Sequence, residues 1–300
     1  MQVRCIRQAR SALAESALWS PREGKLYWLD QMRPEIHCLD PVTGEDVNFP
    51  LDLPEQLGAL VHHAGGGLVL AAADGITLLS ADMMHRRSLV NPIAGRTRLS
   101  FNDAKCDRQG RLWAGTTDRL ETERLGCLYR IDPNGGATLI ADGFVCSNGP
   151  SFSPDGRTMY HTRSHERTID AYDLDPATGN VSNRRIFATV DPSAGVPDGS
   201  TVDAEGYLWS THWGGWRVTR YAPDGSIDRV IELPVEKVTS CAFGGPNMDT
   251  LFVTTASIGF DNGRWIFLDD AAFDAAPMIG GIFAIDVGVT GLPEPGFIRA

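Results

Sequence analysis

Apolar and polar positions recur along this chain in one phrase written several times. Gly24-Lys25-Leu26-Tyr27-Trp28, Gly110-Arg111-Leu112-Trp113, Gly156-Arg157-Thr158-Met159-Tyr160 and Gly206-Tyr207-Leu208-Trp209 are variants of it, each preceded by a polar turn such as Ser20-Pro21-Arg22-Glu23 or Asp203-Ala204-Glu205. The aromatic position and its apolar equivalents, Trp28, Val69, Trp113, Tyr160, Trp209 and Phe252, lie 41 to 49 residues apart. Inside a repeat, Gly24–Leu29 alternates like a half-buried strand. Glu35–Leu39 forms the next strand and ends at Asp40-Pro41-Val42-Thr43-Gly44. The fourth repeat does the same with Thr158–Thr162, Thr168–Leu174 and Asp175-Pro176-Ala177-Thr178-Gly179. In these endings Gly supplies the positive φ that a hairpin turn requires.

Strand chemistry at this period predicts an all-β fold, a six-bladed β-propeller forming one domain over residues 1–300. Closure requires one blade to combine strands from both ends of the chain, and Val3–Gln8 is the candidate closing strand. Two repeats are degenerate. Gly67–Leu79 lacks the aromatic, and Asn247–Thr255 is followed by an excursion, Gly259–Ile279, before Gly280–Val287 resumes a strand. The excursion reads as a surface insertion, with a short helix or a lid over one face as the alternative.

Composition narrows the partners. The net charge is −11 with no basic stripe, which argues against nucleic acid and anionic lipid and suits recruitment of a cation. The 32 Gly and 18 Pro fit many turns between short strands. The six cysteines show no CxxC spacing, so they read as free thiols of a cytoplasmic protein. The N-terminal stretch lacks the apolar run of a signal peptide, and Gly67–Ala73 is too short to span a membrane. No coiled coil or long apolar helix points to obligate assembly, so a monomer is expected. HExxH, GxSxG and P-loop signatures are absent.

Candidate chemistry sits upstream of the repeated phrase. Glu15 precedes Ser16-Ala17-Leu18-Trp19, and Asn102-Asp103 precedes Ala104-Lys105-Cys106-Asp107. Asn148 lies in Ser147-Asn148-Gly149-Pro150, and Asp198 in Pro197-Asp198-Gly199-Ser200. These segments share one phase of the repeat, so in a propeller their side chains converge on one axis. Carboxylates with amide oxygens make a hard donor set suited to calcium, magnesium or manganese. Taken singly, Asn-Gly and Asp-Gly are ordinary turn dipeptides and Glu15 an ordinary solvated side chain. At this level both readings stand.

Other residues invite comparison. His161 and His165 belong to a loop after a strand and are candidates to line a pocket, outside the ligand phase. His212 and Trp213 are candidates for its wall. Trp28, Trp113 and Trp209 read as inter-blade core. Cys146 has no histidine partner at an interpretable spacing, so a thiol nucleophile is rejected.

The segments Glu15–Trp19, Phe101–Asp107, Ser147–Gly156 and Pro197–Asp203, with Trp213-Gly214-Gly215 and Phe243-Gly244-Gly245-Pro246, resemble the senescence marker protein / gluconolactonase / luciferin-regenerating enzyme family over nearly the whole chain. The resemblance implies a metal-dependent lactonase that hydrolyses a sugar lactone to the aldonic acid in carbohydrate catabolism. It implies one divalent ion, calcium, zinc, manganese or iron, held by Glu15, Asn148 and Asp198, with Asp198 also the catalytic acid/base. Asn102 is then a substrate-binding residue. The family's substrate-contacting arginine is replaced here by Ser100, and Arg98, two residues earlier, takes its place only if the loop bulges. Glu121 and Glu123 have no secure match to a contacting glutamate of some members and read as solvated loop charges. Two further functions remain open: a calcium-binding regulatory propeller without catalysis, and a lactonase or esterase acting on a non-sugar lactone.

Overall fold

The structure, a computed structural model, describes residues 1–53, 56–261 and 264–299. Six four-stranded antiparallel sheets form a six-bladed β-propeller. Blade 1 comprises Ala14–Ser20, Lys25–Asp30, Glu35–Leu39 and Asp46–Pro50, and blade 2 comprises Leu57–His62, Leu68–Ala72, Gly75–Leu79 and Arg86–Val90. Blade 3 is Leu99–Cys106, Leu112–Asp118, Gly126–Ile131 and Ala137–Phe144, and blade 4 is Ser147–Phe152, Thr158–Arg163, Thr168–Leu174 and Val181–Thr189. Blade 5 is Val196–Val202, Leu208–Trp213, Arg217–Tyr221 and Ile227–Glu232. Blade 6 takes Val238–Gly244, Thr250–Thr255 and Ile282–Asp286 from the C-terminal part, and its outermost strand, Val3–Arg7, from the N-terminus. The expected closing strand thus pairs as the repeat requires.

The aromatic of the repeated phrase packs between blades. Trp113 joins Leu128, Phe144, Phe152 and Tyr172 across blades 3 and 4, and Trp209 joins Val238, Phe243 and Phe283 across blades 5 and 6. Trp28 is equally buried and stacks on His37, with ring centroids 4.7 Å apart. An aspartate in the preceding turn anchors two of these indoles. Asp107 accepts from Trp113 Nε1 at 3.0 Å, and Asp203 accepts from Trp209 Nε1 at 2.9 Å. Each carboxylate also takes an arginine, Arg111 on Asp107 at 2.6 Å and Arg220 on Asp203 at 2.7 Å. Turn and strand phrase are therefore one structural unit, because the buried indole N–H needs an acceptor that the strand itself does not supply.

In the excursion between the second and third strands of blade 6, Gly259–Asp261 pairs with Arg264–Ile266, and a short helix, Asp270–Ala275, is capped by Asp269, whose side chain accepts from Ala272 N. The expected span also includes Asn262 and Gly263, which lie outside the described residues. On the opposite face the C-terminal segment crosses the axis. Gly291 bridges to Asp203 of blade 5, Phe297 bridges to His63 in the first turn of blade 2, and Glu294 pairs with Lys105 of blade 3 at 3.0 Å. Among the described residues no helix is long and apolar enough to cross a membrane.

Asp203→Ala removes the acceptor for Trp209 and leaves Arg220 buried with fewer partners. A loss of about 3 kcal/mol is expected, measured as a lower urea midpoint in equilibrium unfolding.

Candidate active site

Innermost strands of a propeller run side by side down the axis, so a regular strand would show the channel every second side chain. Here every innermost strand departs from regular pairing near its start. The register shifts between Glu15 and Leu18, Leu57 and Ala59, Phe101 and Asp103, Asn148 and Ser151, Pro197 and Ser200, and Val238 and Cys241. A bulge of this kind re-aims a side chain and increases local twist. Two of the bulges depend on unusual backbone. Ser16 has φ 58°, and Gly149 has φ +39°, where an added Cβ would meet Ser200 Oγ at 2.6 Å.

The bulged ends open into a cavity of about 290 Å³. Glu15, Asn102, Asn148 and Asp198 all line it, so the structure brings together the four residues singled out by their shared phase. More of the wall comes from inter-blade segments (Leu13, Gln56, Cys146), from the start of blade 5's innermost strand (Val196, Pro197) and from residues ending or following second strands (Gln31, Glu121, Ser164, His165, Trp213). Trp265, from the hairpin of the excursion, also lines the cavity, so that insertion contributes to its wall as a lid would.

Glu15 and Asp198 are both nearly buried, and no ion pair to either occurs among the described residues. Burial pushes the Glu15 carboxyl well above its ordinary range, and the charges of Asp198 and Asp103 push it further. Asp198 is raised in the same way by burial, then by Asp103 and Glu121. Asn148 lies beside them in a tight network. Its Oδ1 accepts from Asn102 Nδ2 at 2.7 Å, and its Nδ2 donates to Ser164 Oγ at 2.9 Å. That orientation leaves the carboxamide oxygen a second lone pair. Asp103 supports the bulge from behind, accepting from Gly149 N at 2.7 Å and Ala104 N at 2.8 Å.

Among the described residues no three His, Cys, Asp or Glu side chains form a metal-ligand group. The candidate set is instead two carboxylates and one carboxamide. Two like-charged carboxylates buried without a counter-cation are costly unless protonated or bridged by a cation, and hard oxygen donors fit a divalent ion.

Other expected residues fall elsewhere. Arg98 does not line the cavity; it forms a two-pronged ion pair with Asp118, at 3.0 and 2.6 Å, and also pairs with Glu123. Ser100 is fully buried and donates to Phe101 O at 3.0 Å, also away from the cavity wall. His161 is not in a loop but inside the strand Thr158–Arg163, where its Nε2 meets Ser147 Oγ at 2.7 Å and burial lowers its pKa to about 3. His212 is buried against Ala194 O at 2.8 Å, while its neighbour Trp213 does reach the cavity. Glu121 is an exposed loop charge, as expected, but it also lines the cavity and bonds His165 at 3.1 Å. Cys146 also lines the cavity, but burial drives its thiol pKa well up, which suits a neutral side chain and not a nucleophile. Sequence reasoning missed Gln31, whose Nε2 donates to Gly58 O at 2.6 Å and Asn102 O at 3.1 Å. It lies one residue past a second strand, outside the phase used to find the others.

Residues 13–257 match the family model described as SMP-30/Gluconolactonase/LRE-like region. The chain belongs to this family. It is 36% identical over 282 residues to pentonolactonase XacC of Haloferax volcanii, covering 94% of this chain and 93% of that protein. It is 35% identical over 296 residues to a 6-deoxy-6-sulfogluconolactonase of Pseudomonas putida, with 98% of each chain covered. Among solved structures, regucalcin of Agrobacterium tumefaciens, described as a calcium-binding protein, superposes with a TM-score of 0.90 at 28% identity, covering 99% of this chain and 97% of that one.

Replacing either buried carboxylate separates charge from shape. In chelator-treated protein at pH 7, Glu15→Gln and Asp198→Asn should each raise stability, on the order of 1 kcal/mol, because each removes a buried like charge. The same variants should lose at least tenfold in divalent-ion affinity. Thermal unfolding with and without added ion reads both effects.

Proposed function

We propose that this family member hydrolyses a sugar lactone to the aldonic acid, using a divalent ion held by Glu15, Asn148 and Asp198. The observation that carries the reading is the pair of buried carboxylates lining one cavity without a counter-cation, beside the Asn102–Asn148 carboxamide pair. The lactonases among the relatives support the substrate class, and the calcium-binding description of a structural neighbour supports a cation.

When bound, such an ion supplies Lewis acidity at the lactone carbonyl. The chain's own groups do the rest. Asn102, whose Nδ2 is held by Asn148 Oδ1 and Ser147 O, turns its carboxamide oxygen to the substrate at the mouth of the channel. Asp198 accepts a proton from the attacking water as the new C–O bond forms. It returns a proton to the ring oxygen as the C–O bond of the lactone breaks, so one water is consumed and the hydroxy acid leaves. A carboxylate that also holds a cation is a weak base, so this role requires the attacking water to sit within hydrogen-bond reach of Asp198. Trp213 and Trp265 supply apolar wall that excludes bulk water around this centre.

The test is a pH-indicator assay on a panel of sugar lactones with metal-stripped protein and single-ion add-back, after subtraction of spontaneous hydrolysis. Stripping should abolish turnover and one ion should restore it. Asp198→Ala should lower kcat at least a thousandfold even with ion in excess. Tight ion binding without turnover on any lactone would overturn the hydrolase and leave a cation-binding propeller.

A further inference from the structure

The far end of the channel carries charges that the hydrolytic steps leave unused. From Asp103 onward the innermost strand of blade 3 pairs regularly, so Asp103 and Lys105 share one face of it. Both border a void of about 10 Å³ inside the channel, which Ser16, Ser240 and Glu294 also border. Lys105 thus shares one small space with two carboxylates, Asp103 from its own strand and Glu294 from the C-terminal segment. The charges act on one another. Burial raises the Asp103 carboxyl, Lys105 pulls it down and Glu294 pushes it up. Burial also raises Glu15 and Asp198, and the charge of Asp103 raises both further.

The ammonium takes Glu294 as its partner. Lys105 Nζ donates to Glu294 Oε1 at 3.0 Å, and Thr201 Oγ1 donates to the same oxygen at 3.1 Å. The two side chains of the pair are only 11% and 17% exposed, so solvent and salt screen them little. Although burial opposes its charge, Lys105 and Arg108 hold the Glu294 carboxyl below its ordinary range. Glu294 is delivered by a fixed backbone. Pro293 and Pro295 flank it with restricted φ. Gly291 N donates to Met248 O at 2.8 Å, Phe297 N to His62 O at 2.7 Å and Ile298 N to Gly110 O at 2.9 Å, which ties the segment to blades 6, 2 and 3. Lys105, on a flexible four-carbon stem, is the adaptable member of the pair.

We propose that Glu294 is a positioning residue for the cation site. It draws the Lys105 ammonium to the far end of the channel and neutralises it there, which leaves the charge of Asp103 free to favour a divalent ion at Glu15, Asn148 and Asp198. This rests on the cation-binding reading of those three residues. Without Glu294 the ammonium would turn to Asp103, the other carboxylate on the same void, and act as a resident cation in competition with the ion. The C-terminal segment, which touches neither substrate nor ion, thereby sets how strongly the opposite mouth attracts a cation.

The test is isothermal titration of chelator-treated protein at pH 8 with whichever of calcium, manganese, zinc and ferrous ions binds wild type most tightly. Glu294→Gln keeps the side-chain shape and an acceptor for Thr201, and should weaken ion binding about tenfold. Lys105→Met removes the competing charge and should tighten binding about threefold. Glu294→Gln combined with Lys105→Met should return to within about threefold of wild type, because the net charge of the channel is then the same. A channel merely deformed by the loss of Glu294 would not be repaired by removing a second side chain, so this rescue separates charge from structure. If Glu294→Gln does not fold, Lys105→Met decides, and binding no tighter than wild type overturns the proposal. Wild-type affinity in Glu294→Gln, or a double variant no better than Glu294→Gln alone, also overturns it and leaves the cation site intact. A wild type that binds none of the four ions overturns the cation reading and the role of Glu294 together.

Discussion

Six innermost strands must share one axis, and the crowding there governs the rest of the molecule. Side chains that point at the axis cannot interdigitate as they do between blades, so the channel is lined by polar groups that each need a partner. Most find one in the protein. Thr239 donates to Ala14 O, Thr211 to Thr239 O, and Ser151 to Ser200 O, stitching neighbouring innermost strands together. Glu294 enters from the far face and pairs with Lys105 and Thr201. At the other end Glu15 and Asp198 receive no cation from the described residues. The same constraint that makes the ring stable therefore concentrates uncompensated negative charge at one mouth, where a bound cation would contribute both stability and chemistry.

The bulges translate that crowding into a site. Each innermost strand breaks its register at the level of the cavity, so the side chains there follow a direction the pleat does not dictate. The loops around the mouth are fixed by a second layer of charge. Asp118 gathers three backbone N–H groups and Arg98 in one place, and its carboxyl titrates low because these bonds and the arginine outweigh its burial. A floor of bulges and a wall of clasped loops keep the polar groups of the cavity in place, since each misplaced polar group would cost its desolvation.

The repeated turn-and-strand phrase determined the architecture without help from the structure. Its period set six blades, the indoles of Trp28, Trp113 and Trp209 set the inter-blade core, and the N-terminal strand closes blade 6. The shared phase of Glu15, Asn102, Asn148 and Asp198 also carried through, because equivalent positions on equivalent strands are brought to one axis by symmetry alone. What the local sequence could not decide were contacts between different blades. Arg98 and Ser100 entered as substrate neighbours because the family resemblance puts a substrate-contacting arginine at the position of Ser100, with Arg98 its nearest replacement. The bulge between Phe101 and Asp103 parts Ser100 from the direction of Asn102, and the distant Asp118 draws Arg98 away from the cavity. Glu121 read as a loop charge and His165 as a candidate to line the pocket, and only the packing of blade 3 against blade 4 makes them a pair. Gln31 and Trp265 reach the cavity from loops whose lengths follow no repeat. Local periodicity specifies strands and their phase; hydrogen bonds between loops 44 residues apart, as Glu121 and His165 are, exist only once the ring has closed.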